Sequence, residues 1–225
     1  EISYRSTGKN TRITRGSALA PYIDMPKGMG GYAEFIGPRK PKYVYSLRFE
    51  RGKGSEHSPG IGWKNSSRAY IKFMPLDNLS LKMSYNHSEE QNWLNWLDDN
   101  LLATYERKQR TSVFELEWFK NNQHELRIKA QLVAFTGRNP TPYLGNEKGK
   151  LVPIDISISP ITISELAFQV RYRYEIMPLS YLYLVYSKGG RVSANDEEDN
   201  LSNLYRRPWN NPEKENFTVK LRYRF

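Results

Sequence analysis

Histidine, cysteine and clustered carboxylate are the side chains most often used for chemistry, and this chain is poor in all three. It has no cysteine and three histidines, His57, His87 and His124, so disulfides, thiolate metal sites and cysteine nucleophiles are excluded. No two of the histidines have metal-ligand spacing, and no serine stands in a nucleophile motif. A loop histidine beside Asp98 or Asp99 is the one arrangement that would make a general base. His57 and His87 flank long loops and His124 falls in a short turn, so all three read as exposed and non-catalytic. Four acids in a row, Asp196, Glu197, Glu198 and Asp199, lack the spacing of a calcium loop and read as a solvated loop. Trp93 and Trp96 would suit sugar stacking, but a short loop helix or a plug on a rim is the plainer reading. The glycine-rich pieces 28–31 and 51–54 lack the strand-to-helix setting of phosphate loops and read as turns. No catalytic residue, metal or cofactor is expected.

The side chains that do recur at a fixed spacing are cations. Over 217–225, Phe217, Val219, Leu221, Tyr223 and Phe225 alternate with Thr218, Lys220, Arg222 and Arg224. Residues 165–176 repeat this, with Leu166, Phe168, Val170, Tyr172, Tyr174 and Ile176 set against Glu165, Gln169, Arg171, Arg173 and Glu175. A period of two is a strand with one apolar and one charged face. The same pattern runs through 43–51, 68–74, 79–87, 112–119 and 125–135. Residues 180–187 are apolar on both faces, 31–36 is a weaker run, and 1–15 leaves room for one more strand. The charged positions collect eleven basic residues: Arg48, Arg68, Lys72, Lys82, Arg127, Lys129, Arg171, Arg173, Lys220, Arg222 and Arg224. Five acids share them, Glu50, Glu115, Glu117, Glu165 and Glu175, leaving 11 − 5 = +6. An unpaired charge buried in a dry interior costs several kcal/mol, so such a face needs water. It suits an aqueous wall that favours anions, or a solvated wall braced by cross-strand Arg–Glu ladders.

The elements that would position this face fill one chain of 225 residues, with 34 basic and 24 acidic residues, a net charge of +10 and 16 tyrosines. No apolar run approaches the roughly 20 residues of a spanning helix, which excludes a helical membrane protein. Glu1 opens no signal peptide, so the expectation is that a signal has been removed or that this is part of a longer chain. Tight turns at 74–78, 120–123 and 177–180, built from Pro, Asn, Asp and Ser, alternate with long links at 52–66, 88–104, 137–163 and 188–215. In an antiparallel array all the short connections then fall at one end. Outer-membrane barrels sort their loops this way and soluble sandwiches have no reason to. Aromatic residues at the strand ends (Tyr43, Trp118, Tyr174, Phe225) match interfacial girdles, and strands of about 10 residues match a tilted membrane crossing. The expected fold is all-β: an antiparallel transmembrane β-barrel of about eight to nine strands, the C-terminal part of a larger one. It forms a single region over 1–225, with 1–42 its least regular part. A soluble basic β module for sugar or single-stranded nucleic acid and a barrel enzyme acting at the outer rim are the alternatives.

The stretch Ser164-Glu-Leu-Ala-Phe-Gln-Val-Arg-Tyr-Arg-Tyr-Glu-Ile-Met-Pro-Leu-Ser-Tyr-Leu-Tyr-Leu-Val-Tyr186, followed by Val219-Lys-Leu-Arg-Tyr-Arg-Phe225, resembles the C-terminal part of the bacterial family known as domain of unknown function 5916. The likeness is densest over 60–225. It implies an outer-membrane location and an upstream domain similar to family-9 carbohydrate-binding modules, but no established activity and no catalytic residues. The terminal segment Phe217, Val219, Leu221, Tyr223 and Phe225 also resembles the assembly signal of outer-membrane barrels. The expected partners are therefore outer-membrane lipid, lipopolysaccharide phosphates at a basic outer rim, and the barrel assembly machinery, with no nucleic acid. The expected function is pore-forming, transport or structural rather than enzymatic.

Overall fold

The computed structural model describes residues 2–7, 10–13, 20, 22–38, 40–53 and 62–224. In chain order the elements are β1 (Ile2–Thr7), β2 (Asn10–Ile13), β3 (Tyr22–Met25), β4 (Gly28–Ile36), β5 (Tyr43–Lys53), β6 (Trp63–Leu76) and β7 (Leu79–Asp98). They continue with β8 (Leu101–Phe119), β9 (His124–Gly145), β10 (Leu151–Pro153), β11 (Ile161–Met177), β12 (Ser180–Ala194), α1 (Leu201–Asn210) and β13 (Lys214–Arg222). Ten strands join one sheet in the order β1-β4-β5-β6-β7-β8-β9-β11-β12-β13, with β10 added beside β9, while β2 and β3 form a separate hairpin. Every neighbour is antiparallel. Among the described residues β1 pairs only with β4 and β13 only with β12. The all-β antiparallel expectation holds; the sheet has ten strands in its row rather than eight or nine, and it is open.

The period-two runs form strands because ladder pairing puts like positions side by side. Tyr43, Phe73, Leu81, Leu116, Ile128, Val170, Tyr186 and Phe217 lie on one cross-strand row spanning eight strands. A one-residue slip would turn a whole strand over, so this continuity fixes the two faces of the sheet. Apart from the β2–β3 hairpin, no second sheet covers the apolar face among the described residues. Phe49 is 60% exposed, Met83 56% and Leu221 62%. Among the described residues the compact hydrophobic cluster is small and sits at the end bearing the long connections, where Ile23 and Met25 of the hairpin meet Leu94 and Leu102, with Trp96 and Leu151 against them. A sandwich would bury the whole of this face under a second sheet.

Several expected loops are strands. Residues 88–104 are not a long outer loop: β7 and β8 run on through them to a two-residue turn at Asp99-Asn100, with Asp99 at φ 36°. Pairing shifts between Glu90 and Trp93, and again between Trp96 and Asp98, break the alternation and hide the strand from a period-two reading. The links 52–66 and 137–163 are likewise trimmed by β5, β6, β9 and β11, and 188–215 contains α1. Gly28 to Gly31 and Arg51 to Lys53 are strand, not turn. Gly30 lies opposite Gly52, and a Cβ on Gly30 would stand 3.1 Å from the Arg51 carbonyl oxygen, so this pair of glycines lets β4 and β5 close together. The short connections stand as expected at Asp77-Asn78, 120–123 and Pro178-Leu179.

Candidate functional site

On the charged face, ten of the eleven basic residues lie on ladder positions of one side. Arg48 pairs with Arg68, Lys72 with Lys82, and Arg127 with Arg171. Lys129 lies opposite Glu115, Arg173 opposite Glu125, Lys220 opposite Tyr183 and Arg222 opposite Tyr181. Arg224 follows the end of β13, and its backbone N–H donates to Ser180 Oγ at 3.0 Å. Three of these are like charges directly opposite one another, an arrangement that destabilises a strand pair. Carboxylates relieve only part of the face. Glu115 accepts from Lys82 at 3.4 Å and Lys129 at 3.1 Å, Glu125 binds Arg127 and stands 3.0 Å from Arg173, and Glu50 holds Arg48 at 3.5 Å. Arg68, Lys72, Arg171, Lys220, Arg222 and Arg224 make no ion pair among the described residues. A hollow of 190 Å³ opens among Arg127, Lys129, Arg171 and Gln169, with Glu115 and Glu117 also on its wall. Glu125 belongs to the acids of this face although the period-two reading did not count it.

The opposite face carries an apolar belt with a sharp upper limit. On β8 it runs Trp118, Leu116, Phe114 and then turns polar at Ser112, Arg110 and Lys108. On β5, Tyr43, Tyr45, Leu47 and Phe49 give way to Arg51 and Lys53. On β6, Phe73, Ile71 and Ala69 give way to Ser67 and Asn65, and on β12 Leu182, Leu184 and Tyr186 end at Lys188. Above this boundary a strap folds back onto the same face. The carboxylate of Asp199 meets Lys108 at 3.1 Å, Arg110 at 2.5 Å and Arg138 at 3.3 Å. Thr136 Oγ1 donates to the Glu198 carbonyl at 2.7 Å and Thr162 Oγ1 to the Asp196 carbonyl at 2.8 Å. Burial pushes the Asp199 carboxyl up, but the hydrogen bonds and charges of Lys108 and Arg110 outweigh it and leave it below its ordinary range. The hydrogen bond from Arg207 holds Asp196 low, and the backbone N–H of Asn200 with the Asn203 amide does so for Glu198.

The strap leads into α1, capped by Asn200, whose side chain accepts from the Ser202 N–H at 2.9 Å. Leu204 and Pro208 are buried on the sheet, and Trp209 meets Phe168 edge-on at 5.6 Å. Gly190 accommodates the end of this helix: a Cβ there would stand 2.7 Å from the carbonyl oxygens of Pro208 and Asn211. The acidic run is therefore a fastening rather than a free solvated loop. The spacing of Leu201, Leu204, Tyr205 and Pro208 is helical and was the signal for α1, masked by the proline and the acids before it.

The remaining candidates for chemistry do not converge. His57 and Phe225 lie outside the described residues. His87 sits within β7, 3.3 Å from Glu89 and not beside Asp98 or Asp99. His124 opens β9 and stacks on Tyr174 at 4.7 Å. Trp93 packs against Phe135 and Tyr105 with Arg107 over its ring, so its faces are occupied by protein. No metal-binding cluster occurs among the described residues, and no helix among them is long and apolar enough to cross a membrane. No protein-family model, curated protein or solved structure matches the chain.

Proposed function

We propose that the chain is a section of a bacterial outer-membrane β-barrel, with its apolar belt against lipid and its basic face toward an aqueous lumen that favours anions. The observation that carries this is the set of like-charged cross-strand pairs, Arg48–Arg68, Lys72–Lys82 and Arg127–Arg171, on the side opposite an apolar belt that α1 covers only in part. Such pairs weaken the sheet and are tolerable where water and passing anions screen them. The free edge of β13 supports a barrel wider than these strands, completed by further chain, as the likeness to the 5916 family implies. Strands β7, β8 and β9, at 20, 19 and 22 residues, exceed the ~9–11 residues of a tilted crossing, so their upper halves stand outside the bilayer under the strap and hairpin.

Because the chain has no cysteine, single cysteines report the faces directly. In liposomes a membrane-impermeant thiol reagent should label Arg171→Cys and Lys220→Cys, and leave Val170→Cys and Val219→Cys unlabelled. Equal labelling of both sets, or a monodisperse protein without detergent, would overturn the reading.

A further inference from the structure

Along β5 the side chains of the apolar side run Tyr45, Leu47, Phe49, Arg51, Lys53 toward the long-loop end. Tyr45 and Leu47, with Ile71, Met83, Phe114 and Leu166, wall a trough of 880 Å³ whose lining is almost wholly carbon. Leu201 and Tyr205 of α1 form its second wall. One ladder step higher, from the row Leu47–Ala69–Tyr85 to the row Phe49–Ser67–His87, lies a polar hollow of 580 Å³ that includes Arg51, Asn65 and Glu89. Both volumes are within the roughly 300–1,000 Å³ of pockets that bind discrete ligands.

The charges above the trough are uneven. Lys108 and Arg110 are taken up by Asp199 and Glu89. The Arg51 guanidinium lies 4.4 Å and Lys53 Nζ 5.5 Å from the centre of the Trp63 ring, and neither has a carboxylate partner among the described residues. Four residues separate Leu47 from Arg51, about 13 Å at about 3.3 Å per residue. The site is thus apolar at one end and cationic at the other, with a helix closing its side. A bare belt meets any lipid, whereas a two-walled trough selects one chain. We propose that it holds a single phosphate-bearing anionic lipid, for which phosphatidylglycerol serves as the probe, with an acyl chain against Leu201 and Tyr205 of α1 and the phosphate at Arg51 and Lys53. This rests on the reading that the apolar face meets lipid.

The test is native mass spectrometry of the detergent-solubilised protein titrated with phosphatidylglycerol, phosphatidylcholine of the same chains, or inorganic phosphate. One phosphatidylglycerol should be retained, at least tenfold more tightly than phosphatidylcholine. The double variant Arg51→Glu with Lys53→Glu should bring the two lipids level. Met83→Trp, an apolar change that fills the trough, should weaken phosphatidylglycerol about tenfold. Equal retention of the two lipids by the unaltered protein, or unchanged phosphatidylglycerol binding in both variants, overturns the proposal, as does displacement of the lipid by inorganic phosphate alone. A chain that passes the cysteine-labelling test yet retains no phosphatidylglycerol loses the lipid site and keeps the membrane reading. One that fails labelling loses the membrane reading and, with it, the lipid site that rests on it.

Discussion

Asp199 gathers three cations from two strands, Lys108 and Arg110 of β8 and Arg138 of β9, and ties the β12–β13 connection to them. Asp199→Asn keeps the shape and removes the charge, so the cations repel one another. Since these groups are only partly shielded from solvent, the expected loss is on the order of 1–2 kcal/mol of local opening free energy, read as faster amide exchange over 195–213 with exchange in β8 and β9 little changed. The pH dependence has a definite sign. The carboxyls of Asp196, Glu198 and Asp199 all lie below their ordinary values in the folded chain. Their contribution is therefore fully present above the ordinary carboxylate range, about pH 4, and is lost as pH falls below it through the lowered folded values. Protection factors over 195–213, in which the intrinsic slowing of amide exchange in acid is divided out, should hold steady from neutral pH downward and fall only toward pH 3. A strap that opens equally at pH 7 would mean these pairs do not hold it.

At the scale of elements, Leu81, Ile128 and Val170 occupy one cross-strand row of the belt. Arginine at any of them should cost about 2–4 kcal/mol if that row lies at the bilayer midplane, while apolar exchanges cost little. Urea unfolding in liposomes measures it, and no loss at any of the three would break the assignment of the belt. The turn between β11 and β12 offers an opposite change. Leu179 follows Pro178 at φ 66°, where a turn with proline second favours glycine or asparagine third. Leu179 is 48% exposed, so Leu179→Gly sacrifices little burial and relieves a left-handed cost of about 1–2 kcal/mol. The expected result is a urea midpoint unchanged or raised. Most strands were legible because alternation such as Phe217 to Tyr223 survives any partner. The β7–β8 tip was not, because bulges at Glu90 and Trp96 shift the period. Neither were the opposed pairs such as Lys72–Lys82, since a single strand's pattern carries no information about which residue faces it across the ladder.

For the whole molecule, the charge excess on one face makes a prediction about conduction. If that face lines a pore, planar-bilayer recordings should give a reversal potential on the anion side under a salt gradient. Replacing Arg68, Arg171 and Arg222 together by glutamate should move it toward cations, and the effect should shrink at 1 M salt, where the screening length falls to about 3 Å. An unchanged reversal potential would remove the basic face from the ion path.

The up-and-down order of the ten-strand row has an arithmetic consequence. Each strand runs opposite to its neighbour, so β1 and β13, at places one and ten, run in opposite senses. Chain inserted between the two edges must leave β13 by an opposed strand and reach β1 by another opposed strand. Only an even number of added strands satisfies both conditions, and an odd number would force one parallel seam. If the wall closes into a cylinder without a parallel seam, that cylinder has an even strand count, as single-chain bacterial outer-membrane barrels do.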